Sequence, residues 1–243
     1  MPVERFGHMS GPDATLVGQR FCGPEGAANG GYLGGLLAAR LGGEVEVTFR
    51  RPVPLERPVL LESREGGVLV VRDGDTVLAE AVRARVDVAV PPAVGLAEAE
   101  AATRRFPRFV DHPIPRCFVC GPEREPGDGL RIFPGPVAGR DVVAAPWTPD
   151  ASLADRDGVV RPEFLWAALD CAGAFAVNEP PRGLALLGRL AARVETRVAA
   201  GTPCVVVGWS LGSEARKLHA GTAVFSADGN LCAAARAIWI LVR

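Results

Sequence analysis

Two groupings in this sequence have residue types and spacing suited to chemistry. Cys117 and Cys120 stand in the run Cys117-Phe118-Val119-Cys120-Gly121, a spacing shared by zinc-binding turns and redox dithiols. A zinc site usually takes four ligands, often as two such pairs, and here one pair has only His112 upstream. A redox pair sits between a strand and a helix, whereas Pro113, Pro115 and Pro122 surround this one. The expectation is two reduced thiols in a turn, with no metal. The second grouping centres on Asp170, which lies in a run from Phe164 to Val177 where nearly every residue is apolar or small. An unpaired ionised carboxylate there is expensive, so burial raises its pKa and its basicity. The plainer reading is a satisfied buried acid bonded to nearby backbone. Cys171 follows Asp170, about 100° away around a helix, and reads as packing. No Gly-x-Ser-x-Gly elbow exists, so a serine-hydrolase mechanism has no support. His8 and His112 fall in loop-like segments and are assigned no role.

Composition narrows the classes. Of 243 residues, 48% are hydrophobic and 23% charged, which is globular rather than disordered. Lys and Arg (27) nearly balance Asp and Glu (28), giving no general case for nucleic-acid binding. The best apolar run, 231–242, is broken by Arg236 and is too short to span a membrane. Met1–Arg5 lacks the basic-then-apolar layout of a signal peptide. Six cysteines are too few for a disulfide scaffold. These features together predict a soluble, cytoplasmic protein.

The elements that must position these residues occur twice in the same order. In the first half a strand is predicted at 14–21, a helix at 27–41, and strands at 44–52, 59–64, 68–72 and 77–89. In the second half strands are predicted at 129–133 and 140–146, a helix at 162–177, and strands at 190–199, 204–213, 217–226 and 231–242. Asp73-Gly74-Asp75 and Asp228-Gly229-Asn230 supply matching hairpin turns. Arg51-Pro52-Val53 followed by Pro58 matches Thr196-Arg197-Val198 followed by Pro203, and Leu78–Arg83 matches Leu231–Arg236. The stretch 91–116, rich in Pro, Ala and Glu, reads as a connector with a short helix at 93–105. Residues 1–90 and 117–243 are then two copies of one unit, an internal pseudo-dimer. A helix with no polar face, as at 164–177, is buried on all sides, which an antiparallel sheet curled around it would achieve.

Three stretches, in this order, resemble the hotdog-fold acyl-CoA thioesterase-like superfamily in its double-hotdog form. Asn29-Gly30-Gly31-Tyr32-Leu33 resembles the start of the central hotdog helix, where the family usually has His/Asn-Gly-Gly. Cys117–Gly121 followed by Gly129-Leu130 resembles a motif of phenylacetate-type thioesterases. Arg216-Lys217-Leu218-His219-Ala220, running into Phe225, Asp228-Gly229 and Leu231, resembles the penultimate hairpin. The resemblance implies an α+β fold, with two antiparallel sheets each wrapped around a central helix. It implies hydrolysis of an acyl thioester, carried on coenzyme A or on a carrier. No cofactor is expected, coenzyme A entering only as part of the substrate. The substrate is the expected partner; nucleic acid and membrane are not, and a homo-oligomer is left open.

For the site, the resemblance implies backbone donors at one helix start and a carboxylate from the other half. Asn29-Gly30-Gly31 is present in half one, but the acid position nine residues on is Ala38. In half two the acid is present as Asp170, but nine residues before it stands Arg161-Pro162-Glu163, without glycines. Each half keeps what the other lacks. Helix N-terminal N–H groups lack intrahelical partners, and glycines let a carbonyl approach them. Gly30 and Gly31 are thus the expected oxyanion donors, Asp170 the base that activates water, and Asn29 a cap or a further donor; the glycines could instead serve close packing. Tyr32, beside the pair, is expected against substrate. Arg216, Lys217 and His219 could meet phosphates of coenzyme A, or be a solvated strand edge. Ser210 lies where some double-hotdog thioesterases place a hydrogen-bonding Thr; those also use a Gln on the final strand, where this chain has Arg236. The rival readings are a non-catalytic acyl-thioester-binding protein and a hydroxyacyl-thioester dehydratase. The latter usually wants a His on or near the helix, and neither predicted helix has one.

Overall fold

The computed structural model describes residues 13–178 and 182–242; Met1–Arg5 and His8 lie outside them. The first half runs β1 (Asp13–Thr15), α1 (Gly30–Leu41), β2 (Val45–Phe49), β3 (Val59–Arg64), β4 (Val68–Asp73) and β5 (Thr76–Arg83). After α2 (Leu96–Thr103), the second half runs β6 (Gly135–Pro136), β7 (Val143–Trp147), α3 (Pro162–Ala168), α4 (Cys171–Val177), β8 (Ala185–Val194), β9 (Cys204–Glu214), β10 (Lys217–Ser226) and β11 (Leu231–Leu241). The two hairpin turns form as expected, with Gly74 and Gly229 at φ 56° and 80°, where a side chain would be strained.

The eleven strands of the described residues join one antiparallel sheet, ordered β1-β3-β4-β5-β2-β8-β11-β10-β9-β7-β6. The order reads the same outward from the centre in both directions: β2 matches β8, β5 matches β11, β4 matches β10, β3 matches β9 and β1 matches β7. Leu78–Arg83 and Leu231–Arg236, paired by the sequence repeat, lie on the equivalent strands β5 and β11. The halves meet where β2 pairs β8, Val45 opposite Ala192 and Thr48 opposite Arg189. Pairing there removes two edges that would otherwise template aggregation. Glu46 straddles this seam, reaching Arg189 at 3.3 Å and Arg236 at 3.1 Å. Arg236, which stands where a catalytic Gln was sought, is a seam residue.

The helices pack against each other inside the curled sheet. A Cβ on Gly31 would lie 2.7 Å from the Trp166 carbonyl oxygen, and one on Gly35 would lie 2.4 Å from Glu163 Cα. Gly31 therefore meets the end of α3 and Gly35 its start: the helices are antiparallel, and the glycines bring their backbones close. Phe164 and Leu165 are fully buried and Trp166 nearly so, each contributing about 1.5–3 kcal/mol of burial free energy.

Several expectations change. The predicted strand at 14–21 ends at Thr15; the chain turns at Gln19–Phe21, and Phe21 leaves the sheet to stack on Tyr32. Residues 129–133 form no strand, because Leu130 and Ile132 N–H groups bond to the Phe118 and Val119 carbonyls instead. The strand predicted at 190–199 is β8, displaced toward its N-terminus: the Glu195 and Thr196 N–H groups both turn onto the Cys232 carbonyl and end it. The helix predicted at 162–177 is two helices, α3 and α4. The connector also does more than connect. Ala99 and Ala102 of α2 are buried with Val205, Val207, Trp209 and Phe225, covering the sheet face opposite the central helices. No described helix is long and apolar enough to cross a membrane.

Candidate active site

The start of α1 carries one side-chain cap. Asn29 has extended backbone (φ −63°, ψ 129°), and its Oδ1 accepts from the Tyr32 N–H at 2.9 Å. The Asn29 Nδ2 remains free to donate, and it donates to Asp170 Oδ2 at 2.8 Å. The Gly31 N–H donates to the same oxygen, also at 2.8 Å. A carboxylate from the second half thus sits on the positive end of a helix from the first. Asp170 is 2% exposed, and its other oxygen, Oδ1, has no partner among the described residues.

The helix break is what lets Asp170 reach. The Asp170 N–H bonds back only three residues, to the Ala167 carbonyl at 3.0 Å, and its ψ of −84° leaves the helical region. The Leu169 carbonyl accepts from the buried Thr222 hydroxyl on β10 at 2.8 Å. Asp170 stands at the N-cap of α4 yet makes no capping bond there, its carboxylate being drawn across to α1. Burial pushes its pKa up to about 7; the Gly31 N–H opposes this, the neighbouring Cys117 adds to it, and Asn29 opposes it.

The sequence expected Gly30 and Gly31 N–H groups as equivalent donors, but the structure divides them. The Gly31 N–H is spent on Asp170, whereas the Gly30 N–H has no partner among the described residues. Gly30 also borders a mostly apolar cavity of about 270 Å³, walled by Leu33, Phe49, Leu186, Leu187 and Ile240. This cavity opens at the seam, beyond the point where β2 stops pairing with β8.

The remaining expected residues lie elsewhere. Tyr32 is 7% exposed and packs in an aromatic cluster, stacked on Phe21 at 4.0 Å and near Phe118 and Phe164. Burial, with Glu163 nearby, pushes its hydroxyl up to about 12. It is a core residue, because one helical step past Gly31 turns its side chain away. Ser210 is exposed on β9, where its hydroxyl accepts from the Gly212 N–H at 3.2 Å. Arg216 and Lys217 are exposed at the β9–β10 turn, and His219 is half-buried opposite Ile238. None of these four bonds to Asp170 or the α1 start among the described residues. Lys217 alone adjoins the cavity wall, opposite Ile240.

Sequence reasoning missed two groups. One is Thr222, whose hydroxyl holds the helix break. The other is a trio of thiols: Cys171 Sγ lies 3.7 Å from Cys117 Sγ, and the Cys117, Cys120 and Cys171 sulfurs all fall within 4.8 Å of one another, buried beside Asp170. Hydrogen bonds from Cys120 and Cys171 hold the Cys117 thiol below its usual range. All six cysteines are unbridged.

No protein-family model and no curated protein matches the chain. Solved structures do. The tesB protein of Mycobacterium avium subsp. paratuberculosis superposes with a TM-score of 0.62 at 17% identity, over 95% of this chain and 92% of that one. A conserved protein of unknown function with hot dog fold from Alicyclobacillus acidocaldarius gives 0.61 at 14% identity, over 97% and 95%. The fold is a double hotdog. An acyl-CoA thioesterase II from Mycobacterium marinum shares it, with a TM-score of 0.58 at 16% identity over 93% and 91%. The expected architecture therefore holds, with the two half-sheets fused into one. In hotdog terms the candidate site spans the two units: the donors belong to the first central helix and the acid to the second.

Proposed function

We propose that this double hotdog hydrolyses an acyl thioester. Asp170 activates water through its unpaired Oδ1, held in place by Asn29 Nδ2 and the Gly31 N–H. The Gly30 N–H, at the wall of the apolar cavity, meets the developing oxyanion, and the cavity takes the acyl chain. A preorganised donor of this kind is typically worth about 2.7–4 kcal/mol of barrier. Arg51 is exposed at the cavity's rim and is the nearer candidate for a carrier phosphate than the 216–219 hairpin. One observation carries the reading: a buried carboxylate from one half is seated on the helix start of the other, with one oxygen unspent. The name of one structural neighbour, acyl-CoA thioesterase II, agrees with it.

The test is thiol release from a series of acyl-CoA substrates by the parent and by Asp170→Asn, which keeps the shape and removes the base. The parent should turn over and the variant should lose about 10²-fold or more. Equal rates would overturn the mechanism. The second reading, acyl-thioester binding without turnover, draws on the near-complete burial of Asp170. It expects saturable binding by the parent with no thiol released.

A further inference from the structure

Cys117 and Cys120 come from one turn and Cys171 from the first position of α4, 51 residues further along. The turn is tightly specified. The Gly121 N–H bonds to the Cys117 carbonyl at 2.9 Å, and a Cβ on Gly121 would lie 2.6 Å from both the nitrogen and the oxygen of Cys117. The thiolate is the form of cysteine that binds metal. Two thiolates at about 2.3 Å from a tetrahedral zinc lie about 3.8 Å apart, and Cys117 and Cys171 are 3.7 Å apart. The third sulfur is within 4.8 Å of both. All three cysteines line a second cavity, of about 230 Å³, that also reaches His112 and Trp239. His112 Nδ1 accepts from the Ile114 N–H at 3.0 Å, which leaves its proton on Nε2, and that atom is buried without a partner. The Trp239 indole N–H is buried without a partner as well.

We propose that Cys117, Cys120 and Cys171 form a three-thiolate site for a soft divalent cation of the zinc class, with its fourth coordination position open to the cavity. Thiolates select zinc over hard cations such as magnesium or calcium. A site with three protein ligands and one open position is the arrangement zinc takes where it meets an exchangeable ligand. The two orphaned N–H donors suit an oxygen or sulfur ligand held there. The sequence pointed away from metal because it offered a single cysteine pair; the third ligand arrives only when α4 starts one residue after Asp170.

The test uses the full chain, purified under reducing conditions without added metal, stripped with a chelator and titrated with zinc against a chromophoric competitor. One zinc per chain is expected. Cobalt(II) added to the stripped parent should produce a thiolate-to-cobalt charge-transfer absorption with the intensity of three bound sulfurs, a readout that does not depend on any variant folding. Cys171→Ser should weaken zinc binding by more than the roughly 100-fold at the upper end for losing an outer-shell partner. Cys204→Ala, whose thiol belongs to a different part of the second half, should bind as the parent does. Absence of zinc uptake by the parent, a cobalt complex without thiolate absorption, or unaltered binding by Cys171→Ser would each overturn the proposal. None of these readouts depends on thioester hydrolysis.

Discussion

The molecule contains the same helix–helix junction twice, and only one copy is furnished. At the α1 start, Asn29 caps the helix, the Gly31 N–H and Asn29 Nδ2 hold Asp170, and Gly30 borders the apolar cavity. At the α3 start, Arg161 makes no side-chain cap, and Pro162 removes a donor from the first turn. Arg161 turns instead to Glu163 at 3.4 Å and lies over the Phe164 ring at 4.7 Å. Across from it, where an acid would sit, Ala38 and Ala39 line a cavity with Pro162 and Trp166. A buried acid without donors is costly, and donors without an acid activate no water. One junction brings the acid and the capped glycine start together, and the other sets Ala38 near an uncapped start.

The contrast can be broken from either side. The largest effect is expected from Asp170→Asn, a fall of roughly 10²–10⁴-fold in thioester hydrolysis, with near-parental far-UV circular dichroism showing that the fold persists. Next comes Gly31→Val. Its Cβ would strike the Trp166 carbonyl and Asp170 Cβ, so denaturant unfolding should show a loss of about 3 kcal/mol. The damage arises from helix–helix packing rather than from blocking a substrate carbonyl, which makes stability and activity fall together. Ala38→Asp places an acid at the unfurnished junction. With the facing start lacking a cap and one N–H, unfolding should show a loss of about 2 kcal/mol, and thiol release should stay at the parental rate. A gain in turnover there would mean the second junction still works. The smallest effect belongs to Glu46→Gln at the seam: its partners are over 40% exposed, so melting should report less than about 1 kcal/mol.

The repeat was readable because its turn chemistry and apolar runs are local: β3 and β10 occupy their predicted spans, and both Asp-Gly turns form. The pairing of Asp170 with Asn29 and Gly31 was readable for another reason, since matching the two helices showed which half lacked which part. What stayed hidden depends on contacts distant in the chain. Nothing near Leu169 forecasts a break, because the hydroxyl that takes its carbonyl belongs to Thr222, 53 residues away. Cys171 looked like filler because its companions, Cys117 and Cys120, lie far back in the sequence. Tyr32 misled through adjacency, since a sequence neighbour on a helix faces a different wall.

The β2–β8 seam makes two hotdog units one continuous sheet on one chain. In an assembly of separate subunits, a site sharing groups from two chains dissolves on dilution, because its completeness follows mass action. Here the partner is covalently supplied, and the donor half meets the acid half at an effective concentration set by the chain rather than by the solution. The candidate site should therefore be equally complete at any protein concentration at which the chain is folded.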